Sequence, residues 1–301
     1  MNGERSRISS ICVAGLGTVG LPTSIYISGK GLRVKGYDIS EPAVARARKS
    51  GIEASSDSSV LAADAVVICV STLIDGTRPK TGPVEEVMSE IPEPKSGRKV
   101  LVCIESTMPP GSSRTLHRRY LGPAYQLVHV PHRYWAGDPI RHGVNQLRVM
   151  GALNGSSLQA GKAFYAGMLG IPLYVVGSLE LAEASKVLEN AYRYVEIAFA
   201  EEARMILDMA KIDFEDARKA SNTKWNVKIP EARDGIGGTC LPKDTRYLAS
   251  LGSSHPLIDA AIEADKAYSQ ATRINRDSTS ASDYDSIVRV RSKAARKSTN
   301  R

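Results

Sequence analysis

The sequence predicts an α/β protein in which a doubly wound parallel sheet precedes a mainly helical domain. In the first half of the chain, short apolar runs rich in β-branched residues alternate with stretches typical of helices. Continuous apolar strands that alternate with helices indicate a parallel sheet covered on both faces. After Gly177, apolar residues recur at helical spacing across 179–211 without Gly or Pro, which predicts one long helix.

The individual elements follow from the same patterns. Strands are predicted at Ile8–Val13, Arg33–Tyr37, Ala65–Val70, Val100–Ile104, Gln126–Val130, Leu147–Met150 and Leu173–Val176. Further helices are predicted at Pro22–Lys30, at Glu41–Lys49, around Val84–Glu90 within a loop over Asp75–Gly97, at Phe214–Ala220, and from Pro256 to about Arg273. The predicted domains are 1–177 for the sheet and 178–273 for the helices. Residues 274–301 form a polar tail that we expect to be disordered.

The composition is that of an ordinary globular protein. Of the 301 residues, 42% are hydrophobic and 24% are charged, and this length suits about two domains. The net charge is +8, but residues 289–301 hold six Lys or Arg and no acidic residue, so much of the excess lies in the tail. A nucleic-acid partner is therefore not expected.

Cysteine usage and hydropathy argue against several other classes of protein. Cys12, Cys69 and Cys103 lie inside apolar runs, where cysteine behaves as a small hydrophobic residue. No cysteine pair has metal-ligand spacing, and no apolar run reaches the ~18 residues that span a membrane. The polar start of the chain does not resemble a signal peptide. We expect a cytoplasmic protein without a metal site or a membrane partner.

A glycine motif indicates a dinucleotide cofactor. Gly15-Leu16-Gly17-Thr18-Val19-Gly20 follows a predicted strand and opens a helix, and Asp38 ends the next strand. In this Rossmann-like pattern, the first glycine permits a tight turn, the second lets a pyrophosphate approach the backbone, and the third allows close helix packing. The helix N-terminus offers N–H groups to phosphates, and Asp38 favours NAD over NADP because it repels a 2′-phosphate. The alternative is a glycine turn that binds no ligand.

Four motifs, in order along the chain, resemble the UDP-glucose/GDP-mannose dehydrogenase family. They are the glycine motif extended through Leu21-Pro22, the stretch from Glu105 to Gly111, the stretch from Ala182 to Asn190, and Gly237-Gly238-Thr239-Cys240-Leu241-Pro242-Lys243-Asp244. The resemblance runs from about Ile8 to Arg273, and the UDP-N-acetylmannosamine branch looks nearest. It implies an NAD-dependent oxidation of the C6 alcohol of a nucleotide sugar to a carboxylate, carried out by a homodimer.

The resemblance also implies a role for each polar residue of these motifs. Cys240 attacks the C6 aldehyde to give a thiohemiacetal, which is oxidised to a thioester and then hydrolysed. Lys186 and Asn190, four residues apart on one helix face, hold the C6 oxygen and stabilise its oxyanion. Asp244 and Thr107 match residues that orient and hold the catalytic water.

Contacts with the cofactor and the substrate are predicted for a wider set of residues. The predicted cofactor-binding residues are Gly15, Gly17, Thr18, Val19, Gly20, Asp38, Ser71, Thr72, Ser106 and Thr107. The predicted substrate-binding residues are Lys186, Asn190, Arg233, Gly237 and Gly238. Several polar residues have a structural alternative: Lys186 as a solvated helix residue, Asn190 as a surface amide, Thr107 as a strand-end cap, Asp244 as a helix N-cap, and Glu183 as an ion-pair partner of Lys186.

Two features depart from the family pattern. The family has a Pro-Glu step after the fifth strand, whose glutamate assists thioester hydrolysis, whereas this chain has Pro131-His132. His132 can replace that glutamate as a general base, since an unperturbed imidazole titrates near pH ~6.5, or it can be a hydrogen-bonded strand-end residue. The match also stops after Arg273, so we expect this chain to lack the C-terminal domain that covers the nucleotide in the family.

Two other functions stay open on the sequence. A β-hydroxyacid dehydrogenase shares the NAD domain, the long helix and the Lys-x-x-x-Asn pair, but its chemistry needs no cysteine. A non-catalytic or partner-dependent NAD-binding subunit is the second alternative, motivated by His132 and the missing domain. Full activity after replacement of Cys240 indicates the first alternative, and turnover only with an added partner indicates the second.

Overall fold

A computed structural model of the chain describes residues 8–76, 78–94, 97–139 and 141–279, with side chains as far as residue 272. The chain divides into two compact units. The first comprises the residues up to 189 together with 246–251, and the second comprises 190–245 and the residues from 252 on. The units divide at residue 189, inside a long helix. They are compact units and do not test the domain boundaries at 177 and 273, which stay predictions.

The first unit is built on a sheet of eight strands. The strands of the chain are β1 (Ile11–Ala14), β2 (Val34–Tyr37), β3 (Glu53–Ser55), β4 (Ala65–Ile68), β5 (Leu73–Asp75), β6 (Arg78–Lys80), β7 (Val100–Ile104), β8 (Tyr125–His129), β9 (Arg148–Ala152) and β10 (Leu173–Val175). Their order in the sheet is β10-β9-β8-β7-β4-β1-β2-β3, and β5 and β6 form a separate hairpin. This order reverses direction at β1 and β4, which confirms the doubly wound arrangement.

Helices connect the strands and continue into the second unit. They are α1 (Gly20–Gly29), α2 (Glu41–Lys49), α3 (Gly82–Glu90), α4 (Ser112–Tyr120), α5 (Gly155–Lys162), α6 (Leu179–Met209), α7 (Phe214–Ser221), α8 (Cys240–Ala249) and α9 (Pro256–Thr279). A short 3-10 helix covers Ser58–Leu61, and a π-helical turn covers Ala163–Met168.

Both faces of the sheet are covered, and this explains why its central strands are apolar at every position. In β1, Ile11 and Val13 belong to the cluster formed with α1 and α2, whereas Cys12 and Ala14 belong to the cluster formed with α3 and α4. Successive side chains of a strand point to opposite faces, so a strand covered on both sides is buried throughout.

One strand pair departs from the predicted parallel sheet. β9 pairs with β8 in the antiparallel direction, while the other described pairs of the large sheet are parallel. The described residues between His129 and Arg148 contain no helix, so they make no crossover that would return the strand in the parallel direction. The sheet is thus mainly parallel, as predicted, with one antiparallel pair that was not predicted.

Three strands and three helices, α4, α5 and α8, were not predicted from the sequence. Strands β3, β5 and β6 have three residues each, too few to show a periodic pattern. Helix α8, which begins at Cys240, has Pro242 in its first turn. Proline is tolerated in the first turn of a helix, where its missing N–H has no helical partner.

The second unit is helical and has a small core. It contains α6 from Asn190 onward, α7, α9 and the loop before α8. Its buried apolar residues are Ala200, Phe214, Ala232 and Tyr268 in one cluster and Tyr194, Ala198 and Ala261 in another. Helix α9 continues to Thr279, beyond the predicted end at Arg273. The rest of the predicted disordered tail, 280–301, lies outside the described residues.

No helix in the described part of the chain combines the length and the apolar character that crossing a bilayer requires.

His129, at the end of β8, makes stability depend on pH. Its side chain is fully buried, and burial lowers its pKa to about 3. In the unfolded chain an imidazole titrates near pH ~6.5, so on acidification the unfolded state gains a proton that the folded state does not bind. The contribution of His129 to stability is therefore complete above pH ~6.5 and is lost as the pH falls toward about 3.

We therefore expect His129→Gln to flatten this pH dependence. Between pH 7 and pH 5, the free energy of unfolding measured in urea should fall by about 2 kcal/mol less in the variant than in the unmodified chain. The exposed His142 provides a matched control, and His142→Gln should leave the slope as it is. Equal slopes for His129→Gln and the unmodified chain would contradict this account.

Candidate active site

The glycine motif forms a tight turn between β1 and α1. Gly15 has a φ of +92°, and a Cβ there would lie 2.8 Å from the backbone carbon of Cys69. A Cβ on Gly20 would lie 1.7 Å from the carbonyl oxygen of Gly15. Both glycines are thus required by the turn itself. Gly17 is exposed, and no atom lies within 4 Å of a Cβ placed on it, so the space beside its backbone is open.

Asp38, directly after β2, stabilises this turn through hydrogen bonds. Its Oδ2 accepts a hydrogen bond from the backbone N–H of Leu16 at 2.6 Å, and its Oδ1 accepts one from Ser40 at 2.9 Å. A carboxylate has about four acceptor positions, so two remain for the hydroxyl groups of a ribose. The half-buried Asp38 therefore fits both a structural role and the predicted ribose contact.

The segment after β4 lies against the glycine turn. Hydrogen bonds from side-chain hydroxyl groups to backbone carbonyl groups join it to the segment after β7. Thr72 Oγ1 donates to the carbonyl oxygen of Thr107 at 2.8 Å, and Ser106 Oγ donates to that of Val70 at 2.7 Å. These bonds bring together the chain ends that follow β4 and β7. Ser71 is exposed and Thr107 is half-buried.

His132 lies in a buried polar network. Its Nε2 lies 3.2 Å from Glu105 Oε2, 2.8 Å from Arg148 Nη2 and 3.2 Å from Thr23 Oγ1. Its Nδ1 accepts a hydrogen bond from the backbone N–H of Tyr134 at 3.1 Å. Burial, and then the charge of Arg148, lower the pKa of His132, which favours the neutral imidazole. Both ring nitrogens are therefore engaged inside the protein.

Glu105 is the anion of this network. It is buried, its Oε1 accepts a hydrogen bond from the Tyr165 hydroxyl at 2.7 Å, and the same oxygen lies 2.7 Å from Arg148 Nη1. Burial raises the pKa of Glu105, but Arg148 and His132 outweigh it and bring the pKa to about 2. Neither Glu105 nor Arg148 was predicted as a site residue. An acidic residue directly after a buried strand was the available signal.

Two glutamates of α6 hold other parts of the first unit. Glu183 is fully buried and accepts hydrogen bonds from the backbone N–H groups of Gly111 at 2.6 Å and Ser113 at 2.7 Å, where α4 begins. Glu189 forms a two-point contact with the guanidinium of Arg133, the residue after His132. Glu183 thus caps a helix, a role that the sequence did not suggest.

The second unit brings Asn190, Cys240 and Asp244 together. Cys240 is exposed at the first residue of α8, and the buried Asp244 follows one turn later. Asn190 Nδ2 donates to Asp244 Oδ2 at 2.5 Å, and Lys243 Nζ lies 2.6 Å from Asp244 Oδ1. Asp244 therefore lies inside α8 and is not its N-cap. Lys243, a nearly buried cation beside a buried carboxylate, was not predicted as a site residue.

The other predicted site residues are placed as follows. Gly237 and Gly238 are exposed, with no atom within 4 Å of a Cβ on either, and Gly238 has a φ of +77°. The exposed Arg233 forms an ion pair with Glu231, Nη2 to Oε2 at 3.1 Å. Lys186 is half-buried on α6, in the first unit. Across the described ranges, no group of three or more His, Cys, Asp or Glu side chains is arranged to hold a metal ion.

Comparison with protein-family models matches residues 180–267 to the UDP-glucose/GDP-mannose dehydrogenase family, central domain. The chain carries the central domain of this family. The matched residues include Lys186, Asn190, Cys240 and Asp244, so two of the four motifs that suggested the resemblance lie inside the family domain.

Relatives of the whole chain are nucleotide-sugar dehydrogenases by name. A UDP-N-acetyl-D-mannosamine dehydrogenase of Methanococcus maripaludis is 30% identical over 280 residues, covering 85% of this chain and 65% of the relative. An NDP-N-acetyl-D-galactosaminuronic acid dehydrogenase of Ralstonia nicotianae is 27% identical over 299 residues, covering 88% of this chain and 68% of the relative.

A solved structure supports the same assignment. The UDP-D-ManNAc dehydrogenase of Pyrococcus horikoshii superimposes with a TM-score of 0.77 at 26% identity, covering 86% of this chain and 68% of that structure. This chain thus spans about 65% of the length of the mannosamine dehydrogenases that it matches.

Proposed function

We propose that this chain is an NAD-dependent dehydrogenase that oxidises the C6 alcohol of a UDP-hexose type of nucleotide sugar to a carboxylate through Cys240. The observation that carries the proposal is the arrangement around α8. An exposed thiol begins the helix, and one turn later Asp244 is held by Asn190. The names of the relatives support the same substrate class.

The glycine turn and Asp38 fit NAD. The open space beside Gly17 admits a pyrophosphate to the backbone, and the N-terminus of α1 offers N–H groups to it. Asp38 keeps acceptor positions for the ribose hydroxyl groups of the adenosine. NAD, when bound, accepts one hydride in each of the two oxidation steps.

Cys240 divides the oxidation into two steps. Loss of a hydride and a proton converts the C6 alcohol to an aldehyde, and the thiolate then adds to the aldehyde carbon to form a C–S bond. Loss of a second hydride and proton gives a thioester. Attack of water breaks the C–S bond, releases the carboxylate and returns the thiol. An exposed thiol at the first residue of a helix suits this role, because an aldehyde can reach its sulfur.

The other residues hold charge and water. We assign the Asn190 amide and the Lys186 ammonium to the oxyanion that forms at C6, and Asp244 and Thr107 to the attacking water. Lys186 and Thr107, in the first unit, rest on the family resemblance alone. The buried contacts and the lowered pKa of His132 support the alternative of a hydrogen-bonded strand-end residue. We therefore assign the activation of water to Asp244.

We further propose that the chain forms a homodimer through α6. Three large apolar side chains recur every seven residues on this helix, and each is more than half exposed: Tyr192, Phe199 and Ile206. Residues at this spacing lie on one helix face, and an exposed apolar face of this kind is typical of an interface. The family resemblance makes a second copy of the chain the expected partner.

The catalytic proposal is tested by NADH formation with a panel of UDP- and GDP-hexoses. We expect about two NADH per sugar oxidised, and a loss of kcat of about 10³-fold or more in Cys240→Ser, because neither the thiohemiacetal nor the thioester can form. The buried Cys12 provides the control, and Cys12→Ala should keep its activity. Full activity of Cys240→Ser would instead favour hydroxyacid-type chemistry, and silence with every sugar would overturn stand-alone dehydrogenase activity.

The cofactor site is tested by Gly17→Ala. The new methyl group meets no protein atom but occupies the space proposed for the pyrophosphate. We expect the Kd for NAD, measured by calorimetry, to rise about tenfold or more, with an unchanged Tm. Gly29→Ala, at the last residue of α1 and equally free of clashes, should leave the Kd as it is. Equal NAD affinity in both variants would argue against the glycine turn as the phosphate site.

The homodimer is tested by sedimentation velocity over a concentration series. We expect a dimer for the unmodified chain and a shift to monomer for Phe199→Glu. A carboxylate buried in an apolar interface loses its hydration and gains no hydrogen-bond partner, which is costly. Trp225, which is 91% exposed in the same unit, provides the control, and Trp225→Glu should stay dimeric. A monomeric unmodified chain across the whole series would contradict the proposal.

A further inference from the structure

The loop that carries Cys240 is held on both sides by side chains from one turn of α6. After the cysteine, Asp244 accepts a hydrogen bond from Asn190. Before the cysteine, the backbone N–H of Ile236 donates to Asp265 Oδ1 at 2.9 Å, and the Tyr194 hydroxyl donates to Asp265 Oδ2 at 2.7 Å. The two anchor points, 236 and 244, are each four residues from the cysteine, and all these residues belong to the second unit.

Asn190 and Tyr194 are themselves four residues apart on α6, which makes them neighbours on one helix face. Asn190 reaches its anchor directly. Tyr194 reaches the other anchor through Asp265, a partly buried residue of α9. Since a helix is rigid over a single turn, the two contacts fix the ends of the segment 236–244 relative to one another.

The loop also approaches α9 so closely that only glycine fits. A Cβ on Gly235 would lie 2.5 Å from Ser269 Oγ and 3.6 Å from Asp265 Oδ1, and Gly235 has a φ of +92°. Just upstream, the Tyr268 hydroxyl donates to the carbonyl oxygen of Arg233 at 2.6 Å. The backbone from 233 to 236 therefore lies directly against α9.

Between Ile236 and Cys240 the described contacts are few, and the carbonyl oxygen of Thr239 accepts a hydrogen bond from the Lys243 amide at 3.1 Å where α8 begins. A Cβ on Gly237 or Gly238 would meet no atom within 4 Å, and residues 237–240 are all exposed. Glycines without neighbours leave the backbone many conformations. The place of the thiol is therefore decided by the last fixed point on each side, and Asp265 supplies the point on the upstream side.

We propose that Asp265 is a positioning residue for Cys240: its carboxylate joins Tyr194 of α6 to the Ile236 amide and so sets where the nucleophile lies. This rests on the proposed function, in which Cys240 is the nucleophile. A carboxylate suits the task because it accepts from two donors at once, and such charge-assisted bonds are stronger than neutral ones. Alanine removes both bonds, whereas asparagine keeps one acceptor for Ile236 and can donate to the tyrosine hydroxyl.

The test compares Asp265→Ala with Asp265→Asn. In Asp265→Ala we expect kcat for NADH formation to fall about tenfold or more, with KM for NAD within about twofold, because a small displacement of the nucleophile is costly. Asp265→Asn should recover most of kcat. Hydrogen exchange of the segment 232–240 should be faster in Asp265→Ala and close to normal in Asp265→Asn.

Asn222 provides a control for simple loss of stability. Its side chain accepts from the Ile229 amide at 2.7 Å and donates to the Ile229 carbonyl at 3.0 Å, so it holds another loop of the same unit by the same kind of contact. Asn222→Ala should lower the Tm without changing kcat. If Asp265→Ala does not fold, Tyr194→Phe provides the second variant, with a smaller fall in kcat of about two- to fivefold.

Alkylation of Cys240 by iodoacetamide separates this proposal from the proposed function, because it needs no turnover. We expect the alkylation rate to change about threefold or more in Asp265→Ala, since the thiol then no longer keeps its place, and to stay normal in Asp265→Asn and Asn222→Ala. If no sugar is oxidised, this alkylation pattern still supports the positioning of Cys240 by Asp265, while the proposed dehydrogenase activity is overturned. Unchanged alkylation and kcat in Asp265→Ala, or equal losses in Asn222→Ala, would overturn the proposal.

Discussion

The buried pair of Glu105 and Arg148 constrains the whole carboxyl-terminal edge of the first unit's sheet. Removing two charges from water is costly unless each finds close partners, and here Tyr165 and His132 complete the set. Glu105 follows β7, His132 follows β8, and Arg148 begins β9, so the network joins three neighbouring strands. A glutamate at 132 would place a second carboxylate against Glu105. A neutral imidazole avoids that repulsion, which gives a physical reason for the departure from the family pattern.

How far the sequence predicts this protein depends on how far each signal extends along the chain. Long periodic runs, such as that of α6, and apolar strands such as β1 were recognised because burial repeats over several residues. Strands β3, β5 and β6, and the antiparallel direction of β9, were missed because they depend on pairing partners outside the segment itself. In the site, the motifs located Cys240 and Asp244, but the partners that hold them come from other helices. Asp265 is an example of such a partner. In the sequence it is one of several acidic residues of a polar helix, and no motif marks it.

Helix α6 supplies polar anchors in both units. In the first unit, Glu183 caps α4 and Glu189 holds Arg133. In the second unit, Asn190 and Tyr194 hold the two arms of the cysteine loop, the latter through Asp265. Asn190, which the motif predicts as a catalytic residue, is thus also an anchor of the cysteine loop.

Exposure separates the proposed nucleophile and the glycines proposed to meet ligands from the carboxylates that hold the fold. Cys240, Gly17 and Gly238 are exposed and have few contacts, because a ligand or a reacting atom must reach them. Glu105 and Glu183 are buried carboxylates, and each is stable only because several donors surround it. A buried acid therefore implies a network even when its partners are unknown. In this chain, acidic residues flanked by apolar ones in sequence were the most informative signal that motif matching left unused.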